Sequence, residues 1–284
     1  MKYFLLSLKY WAGLLLIPVS LVLFCAVCHA KGVSRAEVDR IFKAIKNIAQ
    51  ETVQSGNDIP NFVAAPDIKI DRQRKELHYG RGRTGSLRST EDLGFKKDEP
   101  WDLPLAMQIQ IDLLTEIFDK LPGGKAIWAP YRERGEFIVK ETIESLLSPP
   151  DELDWRINHR KREFAMFIGE TVLPFDQVAR KNGLKAVLDE GYGAGEDMLK
   201  VEVLTEPPGG SVKVIPLLAY KVYQSLGRSS DLWPWKSLVR NTEMLLGKYK
   251  YAGTWPDGGL KEGEIELKYK ENADDKPEKI TFKR

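Results

Sequence analysis

The segment Met198-Leu-Lys-Val-Glu-Val-Leu-Thr-Glu-Pro-Pro-Gly-Gly-Ser-Val-Lys-Val214 marks the point at which the hydrophobic pattern of this chain changes. Apolar residues alternate with Lys200 and Glu202 along its first half, which is typical of a half-buried β-strand. The Pro-Pro-Gly-Gly run at 207–210 predicts a tight turn, and the alternation resumes at Val212. We therefore expect two strands joined by a turn, and a strand-rich half that begins here.

The same two-residue period returns further along the chain, between Gly, Pro and Asp turns, in the segments 248–251, 265–269 and 280–282. The segment 217–223 is also apolar, but it is too short for the pattern to distinguish a strand from a helix. Together these segments predict a small antiparallel β-sandwich over residues 196–284.

The residues Thr205-Glu-Pro-Pro-Gly-Gly-Ser-Val212 resemble the opening of PEGA-type surface modules, in which a proline–glycine turn precedes a small residue and a valine strand. Gly247-Lys-Tyr-Lys-Tyr251, followed by Gly263-Glu-Ile-Glu-Leu267, is similar to the late strand pair of that family. Gly210 stands where alanine is usual, and a long insertion follows the second strand. The resemblance covers residues 199–283, and it implies a binding or spacer module of exported proteins without catalytic residues.

Three tryptophans are the candidate binding residues of this half. Trp233 and Trp235 lie in the insertion, and Trp255 follows it. Exposed indoles beside a loop can stack on sugar rings or hold a peptide. Large aromatic side chains are on average mostly buried, so packing at the edge of the sandwich is the alternative interpretation.

The region 31–195 is predicted to be mainly helical. Ser34 to Val53 repeats apolar residues at intervals of three and four, which is typical of an amphipathic helix, and Ser34 with Glu37 matches a capping box. Four further helices are predicted, at 101–120, 135–147, 151–169 and 175–189. Gly191 to Gly195 then reads as a hinge. The predicted fold class is α+β, with a helical region followed by the sandwich.

The polar stretch 57–100 interrupts the helices. A short strand pair is predicted at 67–71 and 75–79. Between residues 68 and 97 there are nine lysines and arginines but only four acidic residues. Arg81 and Arg83 are candidate ligands for lipid phosphates, anionic glycans or an acidic partner, and a solvated loop is the alternative. The literal Gly-x-Gly-x-x-Gly at 80–85 lacks the following helix that a dinucleotide site requires.

The segment Tyr10 to Ala30 is uncharged and long, with lysines before and after it. Small residues at Cys28 and Ala30 favour a secretory signal that is cut after Ala30. The length is also close to that of a bilayer span, so an uncleaved N-terminal anchor is the alternative. In either case we expect the body of the protein outside the cytoplasm, in the periplasm or anchored to the inner membrane facing out.

Composition excludes several kinds of chemistry. The excess of basic over acidic residues, 43 against 41, is accounted for by Lys2 and Lys9, so the body is neutral and no nucleic-acid partner is predicted. Both cysteines lie before residue 31, which excludes disulfides and thiol catalysis in the body. With only His78 and His159 left, a multi-histidine metal site is not expected. The Cys-x-x-Cys-His run at 25–29 spells a haem attachment motif, but it is embedded in the apolar segment, and no cofactor is predicted.

These observations predict a non-catalytic binding or scaffolding protein of the cell envelope, whose partner is an envelope protein or a cell-wall or glycan polymer. The alternative is a wall- or glycan-active hydrolase or lyase that uses a carboxylate of the helical half. Glu141 and Glu144, the latter followed by Ser145, hint at a transglycosylase. An acid without a shaped cleft or a partner is insufficient for general acid catalysis, so no catalytic residue is assigned.

Overall fold

Five helices precede most of the strands, which confirms the α+β class. The helices are α1 (Arg35–Ser55), α2 (Asp102–Lys120), α3 (Gly124–Leu147), α4 (Leu153–Glu170), α5 (Val172–Lys181) and, later in the chain, α6 (Leu217–Ser225). The strands are β1 (Asp67–Asp71), β2 (Glu76–Gly80), β3 (Lys185–Asp189), β4 (Met198–Glu206), β5 (Ser211–Pro216), β6 (Lys236–Ser237), β7 (Asn241–Leu245), β8 (Gly247–Thr254), β9 (Leu260–Leu267) and β10 (Glu278–Lys283).

The structure is a computed structural model, and it describes residues 33–56, 67–80, 90–148, 153–189, 198–268 and 277–284. Residues 36–284 form one compact unit. The predicted signal or anchor, the haem-like motif and the hinge at 191–195 lie outside the described residues. Within the described part, none of the helices is both long enough and apolar enough to cross a bilayer.

Helix α1 packs its apolar stripe into the protein. Ile41, Ile45 and Ala49 follow one another at intervals of four residues and are almost fully buried. Glu37, the predicted capping-box residue, accepts hydrogen bonds from the guanidinium of Arg40 through both of its carboxylate oxygens. The stripe therefore belongs to the core of the compact unit.

Helix α3 is 11 residues longer than predicted, because it begins at Gly124 and not at Gly135. Pro130 lies inside it, and proline normally disfavours a helix interior because it lacks an N–H donor. Trp128 is buried and stacks on Phe118 of α2 with ring centroids 4.9 Å apart. Packing of this tryptophan explains why the first turns of α3 form despite the proline.

The segment predicted as a helix from 175 to 189 is divided between α5 and β3. Helix α5 ends at Lys181, and Gly183 then adopts a left-handed φ of 67° that a helix interior does not allow. The chain leaves this turn as β3, which pairs in parallel with β2. The predicted helix was therefore wrong in its second half, because its apolar residues pair with a strand that is distant in sequence.

The first sheet has the order β1-β2-β3, and the antiparallel pairing of β1 with β2 confirms the predicted strand pair. The second sheet has the order β10-β4-β7, and the third has the order β6-β5-β8-β9. In the second sheet β10 runs parallel to β4, which corrects the prediction that all strands of the C-terminal half are antiparallel. One apolar cluster takes residues from the second and third sheets, namely Val201, Val214, Met244, Tyr249 and Leu267.

The ambiguous segment 217–223 is helical and forms most of α6. Pro216 precedes the helix, and Ala219, Val222 and Tyr223 are buried at helical spacing. The hydroxyl of Tyr223 accepts a hydrogen bond of 3.0 Å from the backbone N–H of Lys96. Helix α6 therefore connects the strand-rich half to the segment before α2.

Candidate functional site

The tryptophan cluster, which we define as Tyr220, Trp233 and Trp235, lies on the outer side of α6 and of the loop that follows it. The two indole rings are nearly parallel, with an interplanar angle of 14° and centroids 6.3 Å apart. The ring of Tyr220 meets Trp233 edge-on at 5.0 Å. All three side chains are half-buried, so part of their aromatic surface faces solvent.

The polar groups of these indoles are already used within the protein. The N–H of Trp233 donates to the carbonyl of Arg228, and that of Trp235 donates to the carbonyl of Ser230. These bonds hold the rings in place, and recognition is left to the ring faces.

Two lysines stand over the same cluster. The ammonium of Lys213 lies 5.0 Å from the ring centre of Trp235, and that of Lys250 lies 5.5 Å from the ring centre of Tyr220. Lys250 also pairs with Glu264 at 3.9 Å, whereas Lys213 is exposed on β5. The cluster therefore combines flat aromatic faces with a positive charge at its edge.

Trp255, the third candidate, is a core residue. Its side chain is only 2% exposed, and its indole N–H donates to the carbonyl of Pro207 at 3.0 Å. A Cβ atom at Gly210 would lie 2.9 Å from Nε1 of Trp255, and one at Gly253 would lie 2.9 Å from its six-membered ring. The indole thus fills the space of two missing side chains, which also gives a physical reason for Gly210 in place of alanine. Trp255 has no free face to offer a ligand.

The two arginine candidates, Arg81 and Arg83, lie in the range 81–89, outside the described residues. Strand β2, which leads into this range, carries His78 between two carboxylates. The hydrogen bond with Asp189, and secondarily that with Glu76, raises the pKa of His78 above its usual 6.5. His78 therefore links β2 to β3 most strongly when its ring is protonated.

Glu141 and Glu144, the two acids singled out in the sequence, do not converge with another carboxylate among the described residues. Glu141 accepts a hydrogen bond of 2.9 Å from Arg160 on α4, so its charge is compensated locally. Glu144 is exposed, and Ser145 donates its hydroxyl to the carbonyl of Glu141. The hydrogen bond between Glu141 and Arg160 thus joins the edge of α3 to α4.

A partly buried polar cluster that was not predicted from the sequence lies where α1, α2 and α3 meet. Glu136 of α3 accepts hydrogen bonds from Lys46 at 2.7 Å and from Arg132 at 2.9 Å. Asp112 of α2 accepts one from the amide of Gln108 at 2.9 Å. Asp112 Oδ2 and Gln108 Oε1 are buried and have no hydrogen-bond partner among the described residues.

The two carboxylates of this polar cluster have different environments. Burial raises the pKa of Asp112 from its ordinary value of 3.8 to about 6, and the hydrogen bond from Gln108, followed by the charges of Lys46 and Arg132, opposes the rise. Glu136 is held between these same two cations. A carboxyl group with a raised pKa beside a salt-bridged one is an arrangement used in acid–base catalysis, although buried structural groups also produce it.

A shallow cleft of about 280 Å³ opens beside the polar cluster. It is lined by Thr115, Asp119, Lys125, Trp128, Ala129, Arg132, Glu133 and Glu136. Two of the lining residues are joined to each other, because the indole N–H of Trp128 donates to the hydroxyl of Thr115 at 2.9 Å. Asp112 does not line the cleft, whereas Arg132 and Glu136 of the same polar cluster do.

A second buried acid lies at the start of α2. Burial raises the pKa of Asp102 to about 6, and its Oδ1 has no hydrogen-bond partner among the described residues. Trp101 Nε1 and Glu99 Oε2 are also buried, and neither atom has a hydrogen-bond partner in the part of the chain that the structure describes. Among the described residues, no three His, Cys, Asp or Glu side chains are grouped to hold a metal ion.

The chain was compared with protein-family models, with curated proteins and with solved structures. None of the three comparisons found a match. The PEGA-type resemblance therefore stays a prediction that depends on the residues quoted above.

One signal in the sequence pointed to the polar cluster. Gln108 and Asp112 are four residues apart on α2, among apolar residues on several sides of the helix. Such a helix is buried on more than one side, so two polar residues on one stripe indicate an internal polar contact.

Proposed function

We propose that this protein is an exported cell-envelope protein that binds or scaffolds and does not catalyse a reaction. Its strand-rich half is proposed to be a small β-sandwich of the PEGA type. The apolar cluster shared by the second and third sheets supports the sandwich, because two sheets that pack face to face bury their inner side chains against each other.

The proposed location follows from the N-terminal segment. The uncharged stretch from Tyr10 to Ala30 supports export, with the body either released into the periplasm or held at the inner membrane. Arg81 and Arg83 remain candidate contacts to an acidic partner.

The tryptophan cluster is the observation that carries the binding function. Its rings are fixed by internal hydrogen bonds, and their remaining exposed surface is aromatic. Rigid aromatic faces bind the apolar faces of sugar rings at low entropic cost, because the side chains lose little freedom on binding. We therefore propose a glycan chain of the cell wall as the ligand of the tryptophan cluster.

We expect the double variant Trp233→Ala/Trp235→Ala to bind insoluble cell-wall polymer at least about tenfold more weakly than the unmodified protein. The measurement is co-sedimentation of the purified protein with the polymer over a range of concentrations. Trp155→Ala is the matched control, because Trp155 is an exposed tryptophan on α4 and its loss should leave sedimentation unchanged.

Circular dichroism of each variant shows whether the fold is retained. Lys213→Glu is a second variant that leaves the rings in place and reverses the charge beside them. Absence of sedimentation by the unmodified protein would overturn glycan binding. Equal sedimentation by the double variant would overturn the assignment of the site.

A second candidate function, a wall- or glycan-active enzyme, is favoured by one observation only. Asp112, whose pKa is raised by burial, lies near Glu136, which lines a cleft. General acid–base cleavage of a glycosidic bond uses two carboxyl groups in different environments.

If this second function is correct, Glu136→Gln abolishes the release of soluble sugar fragments from wall polymer, because Glu136 lines the cleft and an amide in its place can act neither as an acid nor as a base. Glu144→Gln is the control, since Glu144 is an exposed acid of the same helical half. The measurement is the rate of appearance of reducing ends. No release by the unmodified protein would exclude this function.

A further inference from the structure

Two lysines on the outer face of the third sheet, which points away from the apolar cluster, differ in whether an acid lies across from them. Lys250 of β8 is in register with Glu264 of β9, and its ammonium lies 3.9 Å from that carboxylate. Lys213 of β5 is in register with Ala252, which carries no charge. In the part of the chain that the structure describes, the ammonium of Lys213 takes part in no ion pair. Lys213 is therefore a cation that none of the described acids contacts.

The charge of Lys213 stands over an aromatic ring. Its ammonium lies 5.0 Å from the ring centre of Trp235 in the tryptophan cluster. At an exposed site a cation–π contact is weak, and a carboxylate or phosphate oxygen is a stronger partner for an ammonium group. The contact with Trp235 therefore keeps the ammonium at the cluster, and an arriving anion can take it over with little loss.

Other cations near the tryptophan cluster are paired with acids of the helical half. Lys221 of α6 pairs with Glu51 of α1 at 2.9 Å. Arg228, in the loop after α6, pairs with Glu99. These two cations are already compensated, so Lys213 is the candidate contact to a negatively charged group.

Two exposed acids lie in the same region but not over the face of this ring. Asp231 follows Ser230, whose carbonyl accepts the indole N–H of Trp235. Asp231 therefore begins on the side of the N–H edge of the indole, whereas the ammonium of Lys213 lies over its face. Glu262 lies on β9, and the whole of β8 separates it from β5. The charge at the face of Trp235 is thus positive.

We propose that the glycan bound by the tryptophan cluster is anionic, and that a carboxylate or phosphate group on its sugars pairs with Lys213. This inference rests on the proposed function, because it names the substrate class of the same site. The exposed aromatic faces contact the apolar faces of sugar rings, which neutral and acidic sugars share. The ammonium adds the discrimination, since it favours a sugar that carries a negative charge.

Lys236 provides a matched control on the neighbouring strand. It is exposed like Lys213, but it is in register with Val214, whereas Lys213 is in register with Ser237. Directly paired residues share a face of the sheet, and Val214 is buried in the apolar cluster, so Lys236 begins on the opposite face. Lys213→Gln and Lys236→Gln therefore remove the same charge from the protein, and only the first removes it beside the ring of Trp235.

The test is co-sedimentation with insoluble cell-wall polymer in three forms, namely untreated, with its carboxyl groups reduced to alcohols, and with its phosphate groups removed. We expect the unmodified full-length protein to bind one of the treated polymers about tenfold more weakly than the untreated one. The treatment that weakens binding shows whether the anion is a carboxylate or a phosphate.

The variants connect this loss to one side chain. Lys213→Gln should bind untreated polymer about tenfold more weakly and should no longer respond to the treatment, because both changes remove the same ion pair. Lys236→Gln should behave as the unmodified protein does. Circular dichroism shows that each variant keeps its fold.

Three results would contradict the inference in distinguishable ways. Equal binding of all three polymers by the unmodified protein would overturn the anionic ligand and leave glycan binding by the rings in place. A response to the treatment that persists in Lys213→Gln, or an equal loss in Lys236→Gln, would overturn the role of Lys213. Absence of sedimentation with every polymer would overturn the proposed function itself, and this inference with it.

Discussion

Trp255→Ala is expected to lower the free energy of unfolding by about 3–5 kcal/mol, the range found when a buried tryptophan or phenylalanine is truncated. The indole is 2% exposed, contacts Gly210 and Gly253, and donates its N–H to the carbonyl of Pro207. Its loss leaves a cavity and an unpartnered carbonyl at the turn between β4 and β5. Urea denaturation followed by far-ultraviolet circular dichroism measures the change.

Trp155→Ala is the control for this measurement, because the same substitution at a 67% exposed site should change the free energy by no more than about 0.5 kcal/mol. Trp255→Phe retains most of the ring but loses the hydrogen bond, so an intermediate loss is expected. A change at Trp255→Ala as small as that of the control would contradict a structural role and would return Trp255 to the list of ligand contacts.

The protein is expected to be more stable at about pH 5 than at about pH 7.5. The pKa values of Asp102 and Asp112 rise from 3.8 to about 6 on folding, because burial disfavours their charged forms. Each therefore contributes stability that is present below the unfolded pKa and is lost as the pH rises through 6. The expected difference between the two pH values is about 1 kcal/mol for each group.

Other groups set the limits of this stability window. The pKa of His78 is raised by Asp189 and Glu76, so its contribution is also lost as the pH rises through the folded value. The pKa values of Glu37 and Asp71 are lowered by hydrogen bonds, so their contributions are lost as the pH falls through the folded values. A maximum at mildly acidic pH follows from these opposite signs.

Asp112→Asn tests whether the raised pKa of Asp112 causes this pH dependence, because the amide keeps the shape of the side chain and can still accept the hydrogen bond from Gln108. We expect this variant to be more stable than the unmodified protein at about pH 7.5 and to lose about half of the pH dependence. Asp154→Asn, at an exposed acid, is the control. Urea midpoints at the two pH values give the result, and an unchanged pH dependence in Asp112→Asn would contradict the raised pKa.

Local sequence patterns were sufficient to predict the helices and strands in which one face is buried. The stripe of α1 and the alternation of β4 and β5 were predicted, because one face of each element is buried and the period of the sequence records it. The pair β1 and β2 was found for a similar reason, since a short turn joins two strands that are adjacent in sequence. The first turns of α3 were missed because glycine and proline outweighed Trp128, whose packing on α2 is a tertiary contact.

The candidate sites show the same difference between what a local pattern predicts and what tertiary contacts decide. Trp233, Trp235 and Trp255 share a residue type, and only their surroundings separate the half-buried cluster from the core residue between Gly210 and Gly253. The polar cluster of Lys46, Gln108, Asp112, Arg132 and Glu136 comes from three helices. No window of sequence brings these residues together.

By itself, the sequence determined that helices precede strands, that the body carries neither cysteine nor net charge, and that an export segment is expected at the N-terminus. Tertiary structure alone decided that β3 is a strand, that β10 runs parallel to β4, and that partial or full burial raises the pKa values of two aspartates. The physical reason is that periodicity records only which side of an element is buried. Strand partners and the polarity around a buried carboxylate depend on segments that are far apart along the chain.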